Sequence, residues 1–205
     1  MLRGLFDPDG AFARAMDWVG RMVLLNVLFL ICSLPIVTFG AASAALYGCI
    51  QKMQKGYDGK LFSLFFKTFA ANVKTATLCW LILLPLVALC VVDLLVVPAG
   101  LWRMIATLGL QVCAMVAVLL FPLCARYENR PTTHVKNAFL LAIGNLPRVL
   151  AIFVIWGIPI ACCLVSGTVM YVLSIMWVLF GYAMLSWLNQ ALLWPVFDKL
   201  EGQVS

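Results

Sequence analysis

The sequence predicts an all-α, polytopic membrane bundle of about five transmembrane helices with kinked spans and amphipathic helices outside them. Three observations lead there. The mean hydropathy is +1.07, and 65% of residues are apolar where soluble domains have about half. Five apolar runs, residues 22–39, 76–97, 104–125, 149–165 and 169–197, approach or exceed the roughly 20 residues that a helix needs to cross hydrocarbon. They are too long and uniformly apolar for the alternating strands of a barrel, the other structure that lipid admits. Finally, Lys and Arg crowd two of the links between runs and nearly avoid the others.

Ahead of the first run, Arg3, Arg14 and Arg21 are balanced by Asp7, Asp9 and Asp17. That balance, with an apolar stretch longer than a signal peptide's, makes the run a retained span. From Trp18 to Gln51 the one charge is Arg21. As a single helix these 34 residues would measure about 50 Å, more than a bilayer core, so the chain is expected to bend near Pro35. Beyond the bend, Gly40, Ala44 and Gly48 recur every fourth residue, a spacing that lets helix backbones approach closely. This stripe packs the bundle, or alternatively a homo-oligomer.

The first basic link, 51–74, holds Lys52, Lys55, Lys60, Lys67 and Lys74 against Asp58. Phe62, Phe65, Phe66 and Phe69 share one helical face and the last three lysines another, which predicts an interfacial helix with its rings in lipid. The run 76–97 carries Pro85, a kink, and ends near Asp93. A tight hairpin there can pair Asp93 with Arg103. The run 104–125 contains Pro122, and the second basic link follows with Arg126, Glu128, Asn129, Arg130, Lys136, Asn145 and Arg148. Glu128 is expected to pair locally with Arg126 and Arg130, and His134 to be a solvated loop residue. The run 149–165 has its own kink at Pro159; a bare link, 166–168, leads to the last run and to Asp198, Lys199 and Glu201.

Short links rich in Lys and Arg stay in the cytoplasm, so links 51–74 and 125–148 are expected there. Five crossings then put the N-terminus outside and the C-terminus inside. The order of span, basic helix, Asn72 or Asn145, and proline-kinked span occurs twice. This suggests one transmembrane domain, 1–205, built from parallel units 18–97 and 104–165 with a final helix at 169–197.

The same residues narrow the chemistry. There is no G-x-x-x-x-G-K-[ST], and one histidine makes a His-based metal site improbable. The eight cysteines lie in or beside apolar runs without C-x-x-C spacing, as small hydrophobes do. Asn26, Gln111, Asn189 and Gln190 can hydrogen-bond between helices, but no span holds the acidic pairs of a proton-coupled carrier. The expectation is a protein without cofactor or catalysis whose positive charge reflects topology rather than nucleic acid.

The stretches LNVLFLICSLPIVTFGAASAALY (25–47), FFKTFAANVKTATLCWLILL (65–84) and PLCARYENRPTTHVKNAFLLAIGNLPRVL (122–150) together resemble the YesL-type membrane proteins of low-GC Gram-positive bacteria. These form domain-of-unknown-function family six-two-four. The resemblance implies a multi-pass protein of the bacterial cell membrane whose gene lies among those for sugar ABC importers. It supplies no catalytic residues. The leading expectation is an accessory protein that binds importer subunits or another membrane protein through the basic links. A small transporter or channel, with a polar cavity near Pro85 and Pro159, is the alternative, and an envelope sensor is the third reading.

Overall fold

A computed structural model describes residues 10–98, 100–163 and 167–202, and the regular elements among them are all helical. They are α1 (Ala11–Ser33), α2 (Phe39–Gln54), α3 (Leu61–Val96), α4 (Leu101–Arg126), α5 (Pro131–Gly144), α6 (Leu146–Cys163), α7 (Gly167–Met176) and α8 (Tyr182–Glu201). A π-helical stretch, Trp177–Gly181, joins α7 to α8 in one rod. Arg3, Asp7, Asp9 and positions 165–166 of the sequence reading lie outside the described residues. Helices α1, α3, α4 and the α7–α8 rod are long and apolar enough to cross a membrane. The pair α5 and α6, bent by 95°, makes a fifth span if counted as one. The protein is a multi-pass helical membrane protein.

The run 22–39 is not one helix. It breaks at Leu34 and Pro35, where the Thr38 hydroxyl donates to the carbonyls of Cys32 (2.7 Å) and Pro35 (2.9 Å) and clips the turn. Helix α2 then doubles back along α1. Arg21 closes the open end of this hairpin by donating to the Tyr57 carbonyl at 3.1 Å and pairing with Asp58 at 3.4 Å. At the tip, the Trp80 indole donates to the Ile36 carbonyl at 2.8 Å. Trp80 lies 16 residues, or about 24 Å, before the end of α3. The hairpin therefore accompanies half of α3 and returns.

That return changes where the start of α1 lies relative to the basic links. Counting the first run as one crossing put the N-terminus opposite the basic links. With α2 antiparallel to α1, residues 17–21 instead sit beside Tyr57 and Asp58, and Arg126 pairs with Glu201 at 2.7 Å. Lys55 lies over the Trp194 ring, 5.7 Å from its centroid, which ties these two groups together. The start of α1, both basic links and the end of α8 thus share one end of the bundle.

Helix α2 is the bundle's axis, with every residue from Gly40 to Gln51 buried. Small side chains make this possible. A Cβ on Gly40 would collide with the Ala76 carbonyl and come within 2.6 Å of Trp80 Cβ, and one on Gly48 would lie 2.6 Å from Thr68 Cγ2. Ala44 is wholly buried in the core formed with α3, α4, α6 and α8. The Gly40–Ala44–Gly48 stripe is therefore covered within the chain, which leaves none of it for a homo-oligomer contact.

Helix α3 is continuous over 36 residues, about 54 Å. No glycine or proline separates the amphipathic segment from the span, so the two expected pieces are one rod. The phenylalanine stripe divides: Phe65 is fully buried beside α1 and α2, while Phe62 and Phe66 remain exposed. In the second unit Asn145 interrupts the chain between α5 and α6. Asn72 and Asn145 each donate to the carbonyl four residues earlier, Thr68 (3.0 Å) and Leu141 (3.1 Å), yet only the second sits at a break.

Buried amides satisfy the irregular backbone. Asn26 donates to the Trp177 (3.1 Å) and Val178 (2.7 Å) carbonyls and accepts from the Ala183 N–H (2.9 Å), bracketing the π-helical stretch. Pro122 has no N–H for the Val118 carbonyl, and Asn189 approaches that oxygen at 3.4 Å. Gln51 donates to the Pro122 carbonyl at 3.1 Å and meets Gln190 at 3.4 Å. Gln111 is exposed. Asp93 and Arg103 are not paired: the ion pairs among the described residues belong to Arg21 and Arg126. Each lies near a helix end, where it reaches water by itself.

Gly48→Ala should destabilise the protein by about 1–3 kcal/mol, the usual range for overpacking. Adding Thr68→Ser, which removes the opposing methyl, should recover most of that loss in thermal unfolding, while Gly20→Ala, in open space, should change little. Reporter domains fused separately to the two termini should score the same compartment.

Candidate functional site

At the end of the bundle where the links gather, the C-terminal half of α2, the first half of α3 and the α4–α5 link enclose a cavity of about 1170 Å³. Close packing of α2 on α3 at Gly48 brings Lys52 and Lys55 opposite Lys67, while the end of α4 adds Arg126 and the residue before α5 adds Arg130. Glu128 is the one carboxylate in the lining, against these five cations. Gln51, Thr68, Asn72, Thr75 and Asn129 supply neutral hydrogen-bonding groups.

Arg126 is the fixed point of the cavity. Its Nε and Nη2 donate to the Glu201 carboxylate at 2.7 and 2.8 Å, and Asp198 stands 3.8 Å away. The guanidinium lies over the rings of Trp194 and Phe197, at 5.3 and 5.1 Å from their centroids. These partners explain a side-chain exposure of 7%, unusual for arginine at a helix end. Its Nη1 is buried and has no hydrogen-bond partner. The expected pairing with Glu128 is replaced by one with the end of α8, because α8 returns to the same end of the bundle.

The structure brings together Lys67, Asn72, Arg126, Glu128 and Asn129 of the expected docking residues. Lys60, Lys74 and Lys136 are exposed but do not line the cavity. Arg148 donates to the Asn145 side chain at 3.1 Å, and both border a separate cavity of about 310 Å³ with Lys199. By charge count alone Lys52, Lys55 and Arg130 mark topology and no site. Their convergence depends on the fold of α2, which periodicity does not reveal.

His134 is not a solvated loop residue: it lies in α5 with 1% exposure. Its Nε2 is buried without a partner. It borders a third cavity of about 680 Å³, lined also by Leu123, Tyr127, Leu140, Leu141 and Leu200. Burial raises the Tyr127 phenol above its ordinary 10.0, so it remains a neutral hydroxyl near neutral pH. Deeper in the bundle, a cavity of about 350 Å³ is walled by Phe39, Trp80, Phe121, Phe153, Trp156 and Tyr182. Cys79 and Cys124 are buried free thiols 3.7 Å apart between α3 and α4. No group of three or more metal-ligating side chains occurs among the described residues.

Removing the two partners of the Arg126–Glu201 pair should have unequal effects. Glu201→Ala leaves a buried guanidinium short of acceptors, whereas Arg126→Met leaves a half-exposed carboxylate that water can solvate. Thermal unfolding in detergent should therefore show the larger loss for Glu201→Ala.

No curated protein and no solved structure matches the chain. Residues 22–94, which run from α1 through α2 to the last turn of α3, match the family described as protein of unknown function, DUF624, the same family that the sequence motifs resemble.

Proposed function

We propose that the protein is an accessory membrane subunit that acts by binding rather than by catalysis. Its basic end faces the cytoplasm and docks an acidic segment of a membrane partner. The observation that carries this reading is the cavity between α2, α3 and the α4–α5 link, with five cations against one carboxylate in its lining. Such an excess raises the local concentration of anionic groups and favours partners of complementary charge. The orientation rests on the retention of Lys- and Arg-rich links in the cytoplasm. The shared end of the bundle adds Arg14 and Arg21 to that side. The family resemblance suggests a carbohydrate ABC importer as the partner.

The character of the deep cavity counts against a channel through a single chain. The transporter reading expects polar groups near Pro85 and Pro159, but the cavity bordered by Trp156 and Gly157 has chiefly aromatic and aliphatic walls. Of its two tyrosine hydroxyls, Tyr47 is engaged by Asn189 at 2.7 Å and Tyr182 by Ser43 at 3.1 Å.

A photo-crosslinking side chain in place of Lys52 or Lys67 should capture an importer subunit in native membranes, and the same probe in place of Leu108, exposed near the opposite end, should not. The adduct should weaken in about 0.5 M salt, where screening acts over a few ångströms, and in the charge reversal Lys52→Glu with Lys67→Glu. Absence of any importer adduct, together with unchanged sugar uptake on gene deletion, would sink the proposal.

A further inference from the structure

The basic cavity and the 680 Å³ cavity bordered by His134 are neighbours. Tyr127 and Asn129 line both, and the Arg126–Glu201 pair joins them, since Arg126 borders the first and Glu201 the second. Their chemistries are opposite. One gathers Lys52, Lys55, Lys67, Arg126 and Arg130, while the other sets Leu123, Leu140, Leu141 and Leu200 beside Tyr127 and a polar margin of Asn129, His134, Asn137 and Glu201. A ligand occupying both must carry a compact anion on one side and hydrocarbon on the other. We infer that the two cavities form one site for an anionic phospholipid of the surrounding bilayer, with its phosphate among the cations and the start of an acyl chain against the leucines.

Three features support this occupant. Arg126 lines the basic cavity between Glu201 and two aromatic rings, and its buried Nη1 has no partner, so a small shift of its neighbours would free that donor for a charge-assisted bond with phosphate oxygen. His134 Nε2 is the corresponding unpartnered group beside the apolar cavity, within a side chain of 1% exposure. It can serve the polar linkage between phosphate and chain. The source of the ligand is indicated by α5, which turns by 95° from α6 and leaves Phe139, Leu140 and Ile143 exposed. With α6 crossing the bilayer, α5 lies along it, and its apolar residues meet hydrocarbon at the rim of the cavity. A soluble phosphate compound would satisfy the cations but leave the leucine-lined half empty.

This inference goes beyond partner docking and does not depend on it, because its test uses the purified protein alone. Full-length protein in mild detergent would be titrated with phosphatidylglycerol, phosphatidylcholine or glycerol 3-phosphate, with bound lipid read by native mass spectrometry and stability by thermal unfolding. The expected result is a 1:1 complex with phosphatidylglycerol, favoured about tenfold over phosphatidylcholine, and no displacement by glycerol 3-phosphate. Lys52→Gln with Lys67→Gln, both exposed cavity residues, should weaken phosphatidylglycerol roughly tenfold, the scale of a lost charge-assisted contact. Leu140→Trp, at a site 55% exposed, should fill the apolar side and weaken it without altering charge. The unfolding temperature without added lipid checks that both variants fold. Equal binding of the two lipids, displacement by glycerol 3-phosphate, or indifference to either variant would overturn the inference.

Discussion

The close approach of α2 to α3 is the contact on which the rest of this architecture depends. In hydrocarbon there is little hydrophobic force to press helices together, so association relies on packing and interhelical hydrogen bonds. Gly40 and Gly48 leave no Cβ between α2 and the atoms of Ala76, Trp80 and Thr68. This lets a 16-residue helix occupy the centre of the bundle, buried from Gly40 to Gln51. Because α2 runs antiparallel to α1, it also delivers Lys52 and Lys55 to the end where α3 begins and α4 finishes. The packing of small residues and the position of the charged cavity are two consequences of one contact.

A central helix and a broken rod both create backbone groups that lipid cannot satisfy, and the chain meets them with a few amides. Asn26 binds three backbone groups around the π-helical stretch, so α1 is fastened to the α7–α8 rod at its least regular point. Asn189 and Gln51 do similar work around Pro122, linking α8 and α2 to α4. Each amide is buried at 0–7% exposure, and each joins helices distant in sequence. These three amides hold helices together around irregular backbone.

The sequence makes some of this legible and hides the rest for physical reasons. Apolar run length predicts a helical membrane bundle because hydrocarbon requires it, and the bend at Pro35 follows from the length of uncharged chain before Gln51. The direction in which α2 leaves that bend is not written in periodicity. It is set by contacts at Gly40, Gly48 and Arg21 with residues far along the chain. The start of α1 therefore lies beside the basic links, where run counting alone sets it opposite them. The site was legible in half: charge counting singled out Lys67, Arg126 and Glu128, but Arg126 binds Glu201, 75 residues away, instead of its sequence neighbour. His134 showed no helical signal strong enough to move it from loop to core, because α5 is short and bounded by Arg130 and Asn145.

The arrangement around Arg126 has an electrostatic logic that reaches beyond the pair itself. A guanidinium largely removed from water loses hydration, and one carboxylate with two rings replaces only part of it. Around it stand Lys52, Lys55, Lys67 and Arg130, whose mutual repulsion is relieved locally by Glu128 and, at the edge, by Asp198 and Glu201. In bulk water such repulsion would be small. Near the low-dielectric bundle it is larger, because opposing charges are less screened by solvent. An anion entering the cavity would relieve repulsion among all five cations at once, so its attraction exceeds that of any single pair. The exposed lysines can move to meet such an anion, while Arg126 is fixed by its partners. The site therefore combines one donor fixed by its partners with adjustable ones around it.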